Sequence, residues 1–187
     1  ESALRTGSGL VSMATRPAHV AGVLARQPEI MVSGIVSGQE LEPLLAKPSV
    51  LIVGPGLGRS PWSEQLLQKA VATGLPMVVD ADALNIIAEG RIVSQPNGSG
   101  WIMTPHPAEA ARLLNISVDQ VQADRFAAVR QLQEKYNAVV LLKGAGTLIA
   151  APGDEVIAVC PYGNPGMATG GMGDVLSGII GALLAQG

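Results

Sequence analysis

Short β-branched runs punctuate this chain: "SVLIVG" (49–54), "PMVVD" (76–80), "GWIMT" (100–104) and "AVVLLKG" (138–144). Each is bounded by Gly, Pro or polar residues and is too short for a helix of ordinary length, so strands are predicted. Between them the apolar positions recur with helical period. Over 61–73, Trp62, Leu66, Ala70 and Thr73 fall on one face. Over 117–135, Val118, Val121, Phe126, Val129 and Leu132 do the same, with Asp124, Arg125 and Arg130 turned outward. Alternating strands and helices predict a parallel sheet joined by right-handed crossovers. The segment "TLIAAPGDEVIAV" (147–159) differs, because two strand-like runs flank a Pro-Gly-Asp turn and predict a local hairpin. No internal repeat or low-complexity linker interrupts the pattern. One α/β domain is expected.

Composition sharpens this picture. Hydrophobic residues make up 48% of the 187 positions and charged residues only 14%, so much of the secondary structure should be covered on both sides. Aromatics are 3%, which leaves the core to Ala, Val, Leu and Ile. A net charge of −3 without a basic cluster argues against nucleic-acid or membrane surfaces as partners. The single cysteine, Cys160, excludes an internal disulfide framework and fits a reducing compartment. The chain opens on Glu1 with "ESALRTGSG", which reads as the tail of a helix and its glycine stop, and it closes on Gly187 after a helix. A piece of a longer chain is expected.

Several motifs stand where a strand meets a helix, the place at which open α/β sheets bind ligands. In "GPGLG" (Gly54 to Gly58), glycines let the backbone approach a phosphate or sugar and permit positive φ. A dinucleotide fingerprint would place glycine three residues beyond Gly56, where Arg59 stands. The same segment also reads as a plain turn, with Ser60 as helix cap and Pro61 at the first helical position. In "TPHPAEAARLL" (Thr104 to Leu114), Pro107 fits the first helical position, which makes His106 the cap and Glu109 the third helical residue. Glu109 is explained by that position alone. Histidine is a poor choice of cap, so His106 is read as facing a ligand.

In "LLKGAGT" (Leu141 to Thr147), a strand-end lysine beside two glycines could meet a phosphate as a point charge or snorkel to solvent. "VVDADALN" adds Asp80 and Asp82, one of which should cap a helix from Ala83. The strongest motif closes the chain, "NPGMATGGMGDVLSGIIGALLAQG". Amides from Gly170, Gly171, Met172 and Gly173 can point at one anion without side chains in the way. A bare anion site would omit an acid, yet Asp174 follows directly. It caps the helix, or it orients or deprotonates a hydroxyl while phosphate is held beside it.

Taken in order, "GPGLG", "DADALN", "TPHPAEAARLL", "KGAGT" and "NPGMATGGMGDVLSG" resemble the ribokinase-like superfamily, and specifically the ADP/ATP-dependent NAD(P)H-hydrate dehydratases, over nearly the whole chain. The resemblance implies a three-layer α/β/α sandwich with a mostly parallel central sheet, as a single domain spanning 1–187 and incomplete at both ends. It implies phosphorylation of the hydroxyl on a hydrated nicotinamide ring, followed by loss of phosphate to restore NADH or NADPH. Gly56 or Gly58, together with His106, would contact the hydrated cofactor. Lys143, Gly144, Ala145, Gly146, Thr147 and Gly173 would line the nucleotide site. Asp174 would act on the substrate hydroxyl, and Glu109 would assist magnesium through water. ADP or ATP would serve as phosphoryl donor.

The resemblance also implies a cytoplasmic homo-oligomer, and it leaves open whether an epimerase domain precedes this one in the parent chain. Two other readings are weighed against it. A small-alcohol kinase of vitamin synthesis would usually carry Asn in place of His106, and a thiazole kinase Cys in place of Asp174. A non-catalytic nucleotide-binding module would not need Lys143, His106 and Asp174 together.

Overall fold

The computed structural model describes residues 1–92 and 97–187. In chain order the elements are α1 (Ser2–Arg5), β1 (Ser12–Thr15), α2 (Val20–Arg26), β2 (Met31–Gly34), α3 (Gly38–Leu41), β3 (Leu51–Val53), α4 (Pro61–Ala72), β4 (Met77–Val79) and α5 (Ala81–Glu89). They continue with β5 (Trp101–Met103), α6 (Pro107–Leu114), α7 (Val118–Ala123), α8 (Arg125–Tyr136), β6 (Val139–Leu142), β7 (Thr147–Ala150), β8 (Ala158–Cys160) and α9 (Met172–Gln186). The main sheet runs β3-β4-β5-β6-β7-β8. Its first four strands are parallel, and β7 and β8 are antiparallel, the predicted hairpin. A separate parallel pair, β1 and β2, was not evident from the sequence pattern.

Register decides where the site lies. Val53 pairs with Val79, Val79 with Met103 and Met103 with Val140, so the strands finish on one edge of the sheet. Backbone bonds continue past the strand ends, from Asp80 N to Val53 O, Thr104 N to Val79 O and Lys143 N to Pro105 O. The motifs read from sequence therefore leave the sheet side by side.

One face of the sheet, including Met77, Val79, Met103 and Val140, packs with Leu67, Leu84, Leu113, Val129 and Leu132 from α4, α5, α6 and α8. The other face carries α9 over β3 and β4, where Gly181 lies against Ile52 and Val78. Three layers result. Coverage on both sides is complete at β4, where all three residues are fully buried, but Ile102, Val139, Leu141 and Ile149 are only half-buried because α9 lies over β3 and β4.

Two helix expectations are corrected. The pattern over 117–135 is two helices, broken at Asp124, whose non-helical backbone starts α8 and whose side chain accepts from Ala127 N. The break rotates the two apolar stripes relative to each other. Val121, Val129 and Leu132 are buried, whereas Val118 and Phe126 are exposed. Arg125 and Arg130 turn back onto the protein, Arg130 donating to the carbonyls of Asp154 and Glu155 in the β7–β8 connection. The second correction concerns "DADALN": its helix begins at Ala81, and Asp80 is the cap. On α4, Leu66 and Ala70 are buried as expected, with Ser63 and Leu67 beside them and Trp62 and Thr73 half-buried at the margins.

Candidate active site

Each motif reaches the common edge by its own local chemistry. After β3, Gly54 holds φ +128, and a Cβ there would stand 1.7 Å from Asp80 O, so only glycine fits. The loop then turns through Gly56 and Gly58, both at positive φ. Nothing approaches Gly56, while the Gly58 amide donates to Asp82 Oδ2 at 2.8 Å. Asp82 thus ties the "GPGLG" loop to α5. Ser60 caps α4 with Pro61 following, as expected.

At the end of β5, the His106 imidazole does serve as cap. Its Nδ1 accepts from Ala108 N at 3.1 Å and Glu109 N at 3.4 Å, and Glu109 Oε2 accepts from His106 N at 2.8 Å. This reciprocal arrangement supplies the structural reason for histidine that its capping preference did not. About half of the His106 side chain, 48%, is still open to solvent.

The centre of the site is a chain of charges. Lys143 Nζ lies 2.8 Å from Asp80 Oδ1 and 4.0 Å from Glu109 Oε2, and Glu109 Oε1 lies 3.4 Å from His106 Nε2. Lys143 therefore does not snorkel; it is turned inward between two carboxylates that are 2% and 5% exposed. Asp80 also accepts from Ala81 N at 2.9 Å and, through Oδ2, from the buried Ser177 hydroxyl of α9 at 2.7 Å. Burial alone would raise the Asp80 pKa, but the bonds and charge from Lys143 and the Ser177 bond outweigh it and hold the carboxyl below its ordinary value. Burial prevails at Glu109 and pushes its pKa up, against the His106 amide and the Lys143 charge.

Helix α9 brings the last motif to this cluster. Its cap is Gly171 at φ +86, with no side-chain capping bond, which removes helix capping as the task of Asp174. Asp174 occupies the third helical position and is exposed. Amides in the first turn have no intrahelical acceptor, and among the described residues those of Gly173 and Asp174 have no other backbone acceptor. The Met172 amide instead reaches Thr169 O at 3.4 Å, and Val175 N bonds Gly171 O. A Cβ on Gly173 would stand 3.5 Å from both Asp80 Oδ2 and Lys143 Nζ, which places the glycine turn directly on the ion pair.

The "KGAGT" loop is braced from outside. The Arg125 guanidinium donates to Ala145 O at 2.8 Å and Leu142 O at 3.3 Å, and Thr147 Oγ1 donates to Gly144 O at 3.2 Å. Gly146 turns at φ +67.

A sequence profile of the family described as NAD(P)H-hydrate dehydratase matches residues 1–187. The chain belongs to the NAD(P)H-hydrate dehydratase family. A bifunctional NAD(P)H-hydrate repair enzyme, Nnr, of Coxiella burnetii is 54% identical over 186 residues, covering 100% of this chain and 37% of that protein. An ADP-dependent (S)-NAD(P)H-hydrate dehydratase of Neisseria meningitidis is 47% identical over 170 residues, covering 88% of this chain and 55% of its own length.

Among solved structures, a ribokinase-like superfamily protein of Enterococcus faecalis superimposes with TM-score 0.85 at 31% identity, over 99% of this chain and 64% of that one. The ADP/ATP-dependent NAD(P)H-hydrate dehydratase of Bacillus subtilis, co-crystallized with ATP/Mg2+ and soaked with CoA, gives 0.80 at 25% identity, over 98% and 66%. The chain spans well under half the length of the bifunctional relatives. The expected ribokinase-like dehydratase fold stands.

The sequence does not show how three residues enter this candidate site. The sequence marks Asp80 and Asp82 as strand-end acids without saying which is the cap, gives Ser177 no partner, and places Arg125 outward. Ser177 carried a signal, because a hydroxyl that is fully buried in an otherwise apolar helix needs a partner.

Proposed function

We propose that this chain carries the ADP- or ATP-dependent dehydration of hydrated NADH and NADPH. The observation that supports it is Asp174: exposed, not a cap, and one residue beyond the glycine that lies against the Lys143–Asp80 pair. A nucleotide would lie along Lys143 to Thr147 and Gly173, with its transferring phosphoryl group at the uncapped amides of α9. The hydrated cofactor would lie beside it, against Gly56, Gly58 and the open side of His106. Asp174 would accept a hydrogen bond from the ring hydroxyl and orient it for attack. The hydroxyl oxygen forms a bond to phosphorus as the phosphorus–oxygen bond to the nucleotide breaks, and the hydroxyl proton is released through Asp174. The ring carbon–oxygen bond then breaks with its electron pair leaving on phosphate, the proton on the adjacent ring carbon passes to water, and the electron pair of that carbon–hydrogen bond forms the double bond.

Asp80, Glu109 and Asp174 bring more negative charge than Lys143 can offset before any polyphosphate arrives. A divalent cation fits that imbalance. Among the described residues there is no cluster of three acidic, His or Cys side chains that could hold a metal ion alone. Magnesium ordinarily keeps several waters, and Glu109 would assist it through one of them, since Asp80 is already engaged by Lys143, Ala81 N and Ser177. When bound, magnesium would neutralise charge on the phosphates.

The bifunctional relatives suggest that this domain is joined to an epimerase domain in its parent chain. The exposed Leu10, Val36 and Leu183 are compatible with homo-oligomer contacts, and the lone Cys160 with the cytoplasm. No helix among the described residues is long and apolar enough to cross a membrane.

Full-length protein incubated with hydrated NADH and ADP or ATP should restore the reduced-nicotinamide absorbance with release of phosphate. Phosphorylation of a thiazole or pyrimidine alcohol in place of that recovery would make the protein a small-alcohol kinase. Nucleotide binding without turnover of either would make it a binding module.

A further inference from the structure

From the hydrogen bonds of Arg125 we infer that this residue is a positioning residue for the nucleotide, acting through the "KGAGT" loop. The inference rests on the nucleotide-site reading above. Arg125 is the first residue of α8, yet its guanidinium reaches the carbonyls of Leu142 and Ala145, 17 and 20 residues further along the chain. Those two carbonyls bracket Lys143 and Gly144. With the Thr147 bond to Gly144 O, the carbonyls of Leu142, Gly144 and Ala145 all have donors from within the protein.

A carbonyl oxygen carries partial negative charge and repels a phosphate. Holding these oxygens on a guanidinium keeps their negative ends engaged and fixes the backbone from which Lys143 projects. Arg125 is half-buried; its terminal nitrogens donate to the Leu142 and Ala145 carbonyls, while its Nε is buried without a partner. Its planar fork suits two carbonyls at once, which an ammonium group would not match. The clamp also accounts for Gly144: at φ +153, a Cβ there would stand 2.9 Å from the guanidinium. Loop and arginine are therefore built around each other.

The test uses full-length protein, with binding of ADP, ATP and hydrated NADH measured separately by calorimetry alongside thermal unfolding. Arg125→Gln should weaken nucleotide binding about tenfold, the scale of a lost charge-assisted hydrogen bond, and leave hydrated NADH within about twofold. Arg125→Lys should recover part of the loss through one carbonyl. Gly144→Ala, which displaces the guanidinium without removing it, should give the same nucleotide-selective loss and serves if Arg125→Gln fails to fold. Equal weakening of both ligands, or unchanged nucleotide binding with only a lowered unfolding temperature, would overturn the inference and leave the site reading standing. Wild-type protein that binds no adenine nucleotide would overturn both.

Discussion

Lys143 Nζ and Asp80 Oδ1 are 2.8 Å apart, although 63 residues separate them in the chain. The pair joins the ends of β4 and β6, and Ser177 extends it to α9. It fixes the glycine turn against the sheet edge. Asp80→Asn should cost on the order of 1.5–3 kcal/mol at neutral pH, the range for hydrogen bonds to charged groups. Because folding lowers the Asp80 pKa from 3.8, its stabilisation is present above that value and is lost as pH falls through the lower folded value. Urea midpoints measured against pH should therefore show wild type losing its advantage over the variant only in strong acid.

Glu109 has the opposite sign. Its folded pKa is raised above 4.5 by burial, so the ionised form weighs against folding, and stability falls as pH rises from 4.5 through the folded value. Glu109→Gln preserves an acceptor for the His106 amide and removes the buried charge. The variant should be at least as stable as wild type at pH 7, with the difference vanishing below pH 4.5. Its activity should drop about 10–100-fold, as for loss of an outer-shell metal partner. Lower stability at neutral pH would show that the Lys143 attraction outweighs burial.

His106→Asn should preserve α6, since Asn is a good helix cap. What disappears is the half-open imidazole beside the proposed cofactor position. Binding of hydrated NADH should weaken while nucleotide binding holds. Equal loss for both ligands would remove His106 from the substrate site.

Glycines in the same loop should differ sharply in tolerance. Gly54→Ala drives a Cβ into Asp80 O and should destabilise by more than about 4 kcal/mol, or prevent folding. Gly56→Ala meets no atom within 4 Å and should cost only backbone strain, roughly 1–3 kcal/mol. Comparable denaturation midpoints for the two variants would contradict the packing of Gly54 on the α5 cap.

Strands β3 to β6 were legible because β-branched runs end abruptly at Gly, Asp, Thr or Lys, and the strand-end rule then pointed to the candidate site. The β1–β2 pair was not, because Ser, Thr and Gly dilute both strands and little of either is buried. The break at Asp124 was hidden by an apolar period that runs through it; only the capping tendency of Asp argued for a new helix. Local spacing predicted the His106–Glu109 capping geometry at three residues' separation. No local rule could pair Asp80 with Lys143 or aim Arg125 at Leu142 and Ala145, since those contacts depend on the order of strands in the sheet.

In the proposed reaction Asp174 faces the attacking hydroxyl. It stands in the first turn of α9, and the cap is left to Gly171. A carboxylate is a weak base for an alcohol. Phosphoryl transfer through a loose transition state requires little early proton removal, so orienting the hydroxyl suffices for much of the effect. Asp174→Asn keeps the size, loses the charge and one acceptor, and alters a side chain that is exposed. The expected result is a fall in turnover of about 10²–10⁴-fold, with unfolding unchanged. Nucleotide affinity should hold or rise slightly, because one negative charge leaves the neighbourhood of the phosphates. Near-normal turnover would reduce Asp174 to a surface acid, and turnover lost together with the fold would assign it a structural task that its exposure argues against.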